Sequence, residues 1–219
     1  MGMIETLMHK TSVAFFLGGL VSLLTITNPL SKIPLFLALT SNMEANMRRE
    51  QARKACLYAF VILTVSLFAG VFILQGFGIS YGALRIAGGL TVAIVGYRML
   101  FQGPDIRLAT GDGTHSIAFF PLALPGISGP GAIAVVIGIS TEIAELSGGV
   151  QQALAYAGTV LSILITCVVM WLVLRSARIV SRLVGSEGMD ALSRLMGFLL
   201  ICIGVQFVGS GIRTFMSGA

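Results

Sequence analysis

Polar residues interrupt the apolar sequence at two places where side chains and backbone could together bind a ligand. The first is TNPLSKIP (27–34), which sets an Asn, a Ser and a Lys between two prolines inside a long apolar run. The second is ISGPGAI (127–133), where a Ser precedes Gly-Pro-Gly. Hydroxyl and amide groups donate and accept hydrogen bonds, and proline leaves backbone carbonyls of a helix without their donor. These residue types suit reversible binding of a small polar solute.

Groups that could carry catalysis or hold a metal ion are not gathered in the apolar runs. The 9 Asp and Glu residues and both His lie outside the apolar centres, and the 3 cysteines lack the spacing of a metal site. No Ser/His, Asp/Asp or His/Glu set lies within a membrane segment, and no GxxxxGK[ST] motif indicates ATP use. We therefore expect no catalytic residue, no metal ligand and no cofactor, and we do not expect an enzyme.

Composition indicates a membrane protein. Hydrophobic residues make up 56% of the 219 residues and charged residues only 11%, whereas a soluble domain carries about 25% charged residues. The apolar stretches are long enough to cross a bilayer and lack the alternation of membrane β-strands. We predict an all-α membrane protein with six transmembrane helices, at about 11–40, 56–77, 80–101, 116–141, 153–174 and 192–213. A tight GFGIS turn (76–80) separates the second from the third.

Basic residues are concentrated on one side of these helices. The loops on that side, with one helix end, carry Arg48, Arg49, Arg53, Lys54, Arg98, Arg107, Arg175, Arg178 and Arg182. The other side carries only Lys10 and Arg213. The positive-inside rule places the basic side in the cytoplasm and both termini outside it, in a multi-pass protein of the cell inner (plasma) membrane. The net charge of +5 then has a topological explanation, and we expect no nucleic-acid partner.

The chain contains an internal repeat. ALRIAGGLTVAIVGYRML (83–100) aligns with ALSRLMGFLLICIGVQFV (191–208), and ITNPLSKIPLFLALT (26–40) aligns with ISGPGAIAVVIGIST (127–141). Three helices per unit make the second unit enter the membrane from the opposite side, which gives a 3+3 inverted repeat. We predict one membrane domain (1–219), in which a linker (102–115) joins repeat one (11–101) to inverted repeat two (116–215).

The interruptions occupy matching positions of the two repeats, in helices 1 and 4, and we predict that both helices are broken near the midplane of the membrane. Each break frees backbone groups and starts a half-helix whose N-terminus carries partial positive charge. Such groups are tolerated in a membrane only inside protein or against water. A proline kink that serves packing alone remains the alternative. The predicted substrate-binding residues are Thr27, Asn28, Pro29, Ser31, Ser128, Gly129, Pro130 and Gly131.

Four stretches, TNPLSKIPLFLALT, FGISYGALRIAGGLTVAIVGYRMLF, PLALPGISGPGAI and LSRLMGFLLICIGVQF, resemble the MarC family of bacterial and archaeal membrane proteins. That family is grouped with the LysE-type exporters. The resemblance implies six helices, a 3+3 inverted repeat and an inner-membrane location. It also implies transport of small neutral amino acids such as glycine or alanine, the activity ascribed to an archaeal relative.

The expected function is secondary transport of small neutral solutes, amino acids foremost, by alternating access around the paired breaks. Lys32, Arg85 and Arg194 are weaker candidates for gating or for lining the cavity. Without a carboxylate near the midplane, facilitated diffusion or coupling to Na⁺ fits better than a proton relay, although Glu142 could fold inward. The alternatives are a structural or regulatory membrane protein without transport, and a transporter of another small solute. The expected partners are the solute, the lipid bilayer and, as an open alternative, further copies of the chain.

Overall fold

The computed structural model describes residues 2–101, 117–146 and 148–216, and all regular elements in these ranges are helical. The α-helices are α1 (Gly2–Thr27), α2 (Lys32–Leu39), α3 (Ala45–Gly76), α4 (Tyr81–Phe101), α5 (Pro130–Ala144) and α6 (Gly149–Met216). A 3₁₀ turn, Pro29–Ser31, joins α1 to α2, and a π-helical segment, Ala118–Ile127, precedes α5. The prediction of an all-α protein is confirmed. The predicted linker (102–115) lies outside the described residues.

Five helical stretches in the described ranges are long and apolar enough to cross a membrane. They are Ser12–Leu37, Ala45–Gly76, Tyr81–Phe101, Gly149–Gly185 and Glu187–Met216. The predicted fourth helix (116–141) differs from the structure, because it is divided between the π-helical segment and α5, which has 15 residues. Prolines at 121, 125 and 130 explain the division, since each lacks the backbone N–H that a continuous helix requires. The segment accordingly contains extended backbone at Phe120 and Leu124.

A tight turn connects α3 to α4, at the position predicted from GFGIS. Gly78 takes a left-handed conformation (φ 65°), which favours glycine because it has no Cβ. The Ile79 N–H donates to the Leu74 carbonyl (2.9 Å) and the Gly78 N–H donates to the Gln75 carbonyl (3.1 Å). This is the hydrogen-bond pattern of a Schellman motif. The hydroxyl of Ser80 then accepts from the Ala83 N–H (3.2 Å) and caps α4.

α6 consists of two membrane-length arms. Gly185 divides them with a non-helical conformation (φ 74°, ψ 173°). We call Gly149–Gly185 the first arm and Glu187–Met216 the second arm. The second arm runs antiparallel to α4 through three close approaches of glycine to glycine, which we call the glycine seam: Gly82 with Gly211, Gly89 with Gly204, and Gly96 with Gly197.

Backbone atoms touch along the glycine seam. A Cβ on Gly89 would lie 2.7 Å from the carbonyl oxygen of Gly204, and one on Gly96 would lie 2.5 Å from that of Gly197. Helices in membranes associate largely through such close packing, because lipid is as apolar as the side chains. The seven-residue spacing of the glycines in the sequence therefore corresponds to a helix–helix contact within this chain.

The outside of the helical assembly is apolar. Phe72, Phe77 and Leu183 are 75%, 78% and 82% exposed, and many other large apolar side chains share this outer surface. Such an extensive apolar surface is not found on soluble monomers and suits contact with lipid. The core contains small and branched apolar side chains from α1, α3 and α6, including Leu23, Leu63 and Ile163.

Candidate functional site

The first interruption is centred on Asn28. This residue has a left-handed backbone (φ 42°, ψ 77°), which Asn adopts more readily than most other residues. The Asn28 N–H donates to the Leu24 carbonyl (3.1 Å) and completes the last turn of α1. The Asn28 carbonyl accepts from both the N–H (3.1 Å) and the hydroxyl (2.7 Å) of Ser31. Pro29 begins the 3₁₀ turn, where its missing N–H costs nothing.

The polar side chains at this interruption are buried and hydrogen-bonded within the protein. The Thr27 hydroxyl donates to the Leu23 carbonyl (2.7 Å), and the Asn28 amide donates to the sulfur of Met196 in the second arm (3.2 Å). A thioether is a weak acceptor. The Asn28 amide is therefore the polar group here that gains most from a ligand oxygen.

The second interruption lies between the π-helical segment and α5. The Ser128 N–H donates to the Ala123 carbonyl (2.8 Å), and its hydroxyl donates to the carbonyl of Ala59 in α3 (3.3 Å). Gly129 is extended (φ −70°, ψ 169°), and Pro130 is the first residue of α5. The first N–H groups of a helix have no acceptor one turn earlier, and they form the positive end of its dipole. At the start of α2, by contrast, the N–H of Lys32 donates to carbonyls within the 3₁₀ turn.

The two interruptions are adjacent in the structure. A Cβ on Gly131 would lie 3.3 Å from Cγ1 of Ile26, two residues before Asn28, and would overlap the side chain of Val92 in α4. Only glycine allows α1, α4 and α5 to approach this closely. Three of the predicted residues donate their hydroxyl hydrogen to a backbone carbonyl: Thr27, Ser31 and Ser128. Their oxygen lone pairs remain free to accept a hydrogen bond from a ligand.

A cavity of about 360 Å³ opens between α1, α4, α5 and the second arm, and we call it the Arg85 cavity. This volume falls within the range of ~300–1,000 Å³ found for small-molecule sites. Its polar walls are Ser22, Tyr81, Arg85 and Glu142. Ala14, Phe15, Gly18, Gly19, Val135, Ile139 and Phe207 complete the lining.

The side chain of Arg85 is held within this cavity. Its guanidinium carbon lies 4.8 Å from the centre of the Tyr81 ring, a cation–π arrangement across one helical turn. Nε of Arg85 is buried and has no hydrogen-bond partner among the described residues. The Tyr81 hydroxyl lies directly against Gly138 of α5, in the space where any larger residue would place its Cβ.

The Arg85 cavity and the interruptions are separate but close. The residues that line the cavity do not include the predicted substrate-binding residues. Ser22 lies on α1 six residues before Asn28, which corresponds to about 9 Å along the helix axis. The cavity is next to the α3–α4 turn, since Tyr81 is the first residue of α4.

The other weak candidates lie elsewhere. Lys32 is half-buried in α2, and Arg194 is exposed on the second arm. Arg85 and Arg194 are one position apart in the repeat alignment, yet only Arg85 lines the cavity. Within the described ranges, no three His, Cys, Asp or Glu side chains are placed to hold a metal ion.

Sequence reasoning did not single out Ser22, Tyr81 or Gly138. Tyr81 and Arg85 are four residues apart, a spacing that places side chains side by side on a helix, and this signal was available in the sequence. Gly138 and Ser22 gave no such signal, because their roles arise from contacts between helices. The role of the eight predicted substrate-binding residues stays a prediction.

Comparison with known proteins adds an independent finding. The family model for MarC family integral membrane proteins matches residues 13–216. The inner membrane protein MarC of Escherichia coli (strain K12) is 42% identical over 204 residues, which cover 89% of this chain and 92% of that protein. The protein of the same name from Shigella flexneri matches to the same extent. No solved structure matches the chain. The family resemblance is confirmed, and the chain belongs to the MarC family of integral membrane proteins.

Proposed function

We propose that this MarC family protein is a secondary transporter of small neutral amino acids, such as glycine or alanine, that works by alternating access. The observation that carries the proposal is the meeting of two helix interruptions, at Asn28 and at Pro130, through the contact of Gly131 with Ile26. Interrupted helices are costly in a membrane and are tolerated where they line a binding site. A scaffold needs neither interruption.

The glycine seam supports a 3+3 inverted repeat for this transporter. The repeat alignment equates Gly89 with Gly197 and Gly96 with Gly204. In the structure Gly89 packs against Gly204, and Gly96 packs against Gly197. Exchanging the two repeats therefore converts the Gly89–Gly204 contact into the Gly96–Gly197 contact, and the reverse. A two-fold axis between α4 and the second arm requires this relation. We infer six passes, of which the π-helical segment and α5 together make the fourth.

In the proposed mechanism, the small neutral solute occupies the junction of the interruptions. The first N–H groups of α5 and the Asn28 amide hold its carboxylate. The oxygen atoms of Thr27, Ser31 and Ser128 accept from its ammonium group. The close approach of α1, α4 and α5 at Gly131 limits the space for a side chain, which favours glycine and alanine. Rocking of one repeat against the other then exposes the solute to each side in turn.

The proposed orientation places the basic loops in the cytoplasm and the α3–α4 turn outside. Ile79 in that turn and Met47 at the start of α3 are 44% and 52% exposed and suit cysteine labelling. In intact cells, a membrane-impermeant maleimide should label an Ile79→Cys variant. A Met47→Cys variant should react only after permeabilisation. The reverse pattern would invert the assignment.

Counterflow in proteoliposomes tests the transport proposal. Purified protein is reconstituted with unlabelled alanine inside, and uptake of labelled alanine or glycine is followed with and without a Na⁺ gradient. An Asn28→Leu variant should lose uptake, because it removes the amide and disfavours the left-handed backbone. Thr25→Leu is the matched control, since Thr25 is exposed on α1 and its hydroxyl donates to the Val21 carbonyl of its own helix (2.7 Å).

The outcomes separate the candidate functions. Uptake above empty liposomes that is lost in Asn28→Leu and kept in Thr25→Leu supports the paired-interruption site. Stimulation by a Na⁺ gradient supports coupling to Na⁺, and its absence supports facilitated diffusion. Lack of uptake of every small neutral amino acid by well-folded protein would favour a structural or regulatory role, or a different solute.

A further inference from the structure

The Arg85 cavity carries opposite charges that face the same space. Arg85 lies near the start of α4 and Glu142 in the last turn of α5, and both side chains line the cavity. Among the described residues, the only ion pair within 4.0 Å is Glu50 with Lys54, so Arg85 and Glu142 do not neutralise each other by direct contact. A ligand with both charges fits between them.

The guanidinium of Arg85 is positioned to bind an anionic group. Nε is buried without a hydrogen-bond partner in the described residues, so the protein leaves part of the guanidinium unsatisfied. The ring of Tyr81 supports the guanidinium from one side at 4.8 Å, and the contact of the Tyr81 hydroxyl with Gly138 fixes that ring. A planar guanidinium held in this way matches the two oxygens of a carboxylate.

Glu142 occupies a position that is unfavourable for a carboxylate by itself. The last turn of a helix carries partial negative charge, which disfavours an acidic side chain and attracts a cation. α5 ends at Ala144, two residues after Glu142, and its last turn contains no basic residue. The Glu142 carboxylate therefore forms a negative wall of the cavity that an ammonium group would stabilise.

We propose that the Arg85 cavity is an outer recognition subsite for α-amino acid zwitterions, in which Arg85 binds the carboxylate and Glu142 attracts the ammonium group. Apolar side chains of Val135, Ile139 and Phe207 enclose the remaining space and limit the substrate side chain. The subsite admits molecules that carry both charges and disfavours simple acids and simple amines. Its place in a transport path rests on the proposed function, whereas its charge selectivity is measurable without transport.

The position of the cavity places the subsite before the interruptions in that path. It lies beside the α3–α4 turn and about 9 Å along α1 from the interruption at Asn28. A solute arriving from that side of the membrane meets Arg85 and Glu142 before it reaches the interruptions. The subsite therefore selects by charge, and the interruption site selects by size.

Protection of a cysteine inside the cavity tests the proposal locally. Ser22→Cys is introduced into a Cys202→Ser background, because Cys202 is exposed whereas Cys56 and Cys167 are buried. The rate of maleimide labelling is measured in detergent against rising concentrations of three molecules of similar shape. Alanine carries both charges, lactate lacks the ammonium group and isopropylamine lacks the carboxylate. Gly18→Cys is a second reporter, since a Cβ there meets nothing within 4 Å.

We expect alanine to protect at a concentration at least about tenfold lower than lactate or isopropylamine, as the loss of a charge-assisted contact implies. Arg85→Gln removes the partner of the carboxylate, so it should abolish the preference for alanine over isopropylamine. Glu142→Gln removes the partner of the ammonium group, so it should abolish the preference for alanine over lactate. Arg98→Gln and Glu145→Gln are the matched controls, since both residues are exposed and lie outside the cavity lining. These controls should keep both preferences.

Equal protection by all three molecules in the Ser22→Cys reporter with Arg85 and Glu142 intact would refute the proposed subsite. Unaltered preferences in Arg85→Gln and Glu142→Gln would refute it as well. The result does not depend on transport. Charge-selective protection without counterflow would support the subsite and count against the transporter. Counterflow of alanine without charge-selective protection would support the transporter and exclude the subsite.

Discussion

Replacing Gly89 by alanine should separate α4 from the second arm. The added methyl carbon would lie 2.7 Å from the carbonyl oxygen of Gly204 and 2.8 Å from Cβ of Phe207. Ordinary contact begins at 3.4 Å, so the helices must move apart by about 0.7 Å at this point. Two of the three nearest heavy atoms, the Gly204 carbonyl oxygen and the Val208 nitrogen, belong to the backbone and cannot yield by a change of side-chain rotamer.

Overpacking of this kind costs roughly 1–3 kcal/mol in a well-packed interior. With a loss of ~2 kcal/mol, the apparent Tm of a chain of this size should fall by roughly 4–8 °C. The assay is thermal unfolding of the purified protein in detergent, followed by size-exclusion chromatography of the fraction that remains folded. Gly204→Ala should give a similar loss. The double variant should lose less than the sum, because both methyl groups strain the same contact.

Gly209→Ala provides the control for this prediction. Gly209 lies on the second arm, five residues from Gly204, and a Cβ there meets nothing within 4 Å. Both substitutions exchange glycine for alanine inside a helix, so the difference in helix propensity cancels when they are compared. If Gly89→Ala and Gly209→Ala unfold at the same temperature, the backbone contact of the glycine seam does not stabilise the protein and the reasoning fails.

Three further substitutions test other close contacts. Gly138→Ala should displace the Tyr81 hydroxyl and weaken protection by alanine in the Arg85 cavity several-fold, while the far-UV circular dichroism stays unchanged. An unaltered protection curve would refute the role of Tyr81 in positioning Arg85. Gly131→Ala should reduce alanine counterflow by tenfold or more, because a methyl group forces apart the helices at the interruptions; full activity would contradict the geometry. Gly78→Ala should cost about 1–2 kcal/mol in thermal unfolding through its left-handed backbone, whereas Gly76→Ala, which meets open space, should not.

Local sequence signals predicted the parts of the fold that depend on local chemistry. The apolar runs indicated the membrane-length helices, and Gly78 within GFGIS indicated the turn between α3 and α4. Gly89 and Gly96 are seven residues apart, a spacing that places both on one helix face where small residues allow close packing. That spacing did not reveal whether the partner was another helix of this chain or a second copy, and the contact with Gly204 answers that question for this face.

Contacts between distant segments could not be predicted from one sequence. The Ser128 hydroxyl donates to the carbonyl of Ala59, 69 residues earlier, and nothing in either segment indicates the other. The Arg85 cavity likewise combines side chains of four helices. The sequence places Glu142 at a helix end without indicating its neighbour across the cavity, because that neighbour is set by the packing of α4 against α5. Irregular backbone at Phe120 and Leu124 arises where several prolines compete with helix formation.

The glycine seam also constrains the order in which the protein can be completed during synthesis. α4 ends at Phe101, whereas the second arm begins at Glu187, so α4 leaves the ribosome long before its partner exists. Chains fold from the N-terminus as they are made, so the glycine face of α4 stays unpaired in the bilayer until the second arm is inserted. A nascent chain that stops before the second arm would present that bare face to the glycines of other membrane helices. Completion of the 30-residue second arm is therefore the step that closes the glycine seam.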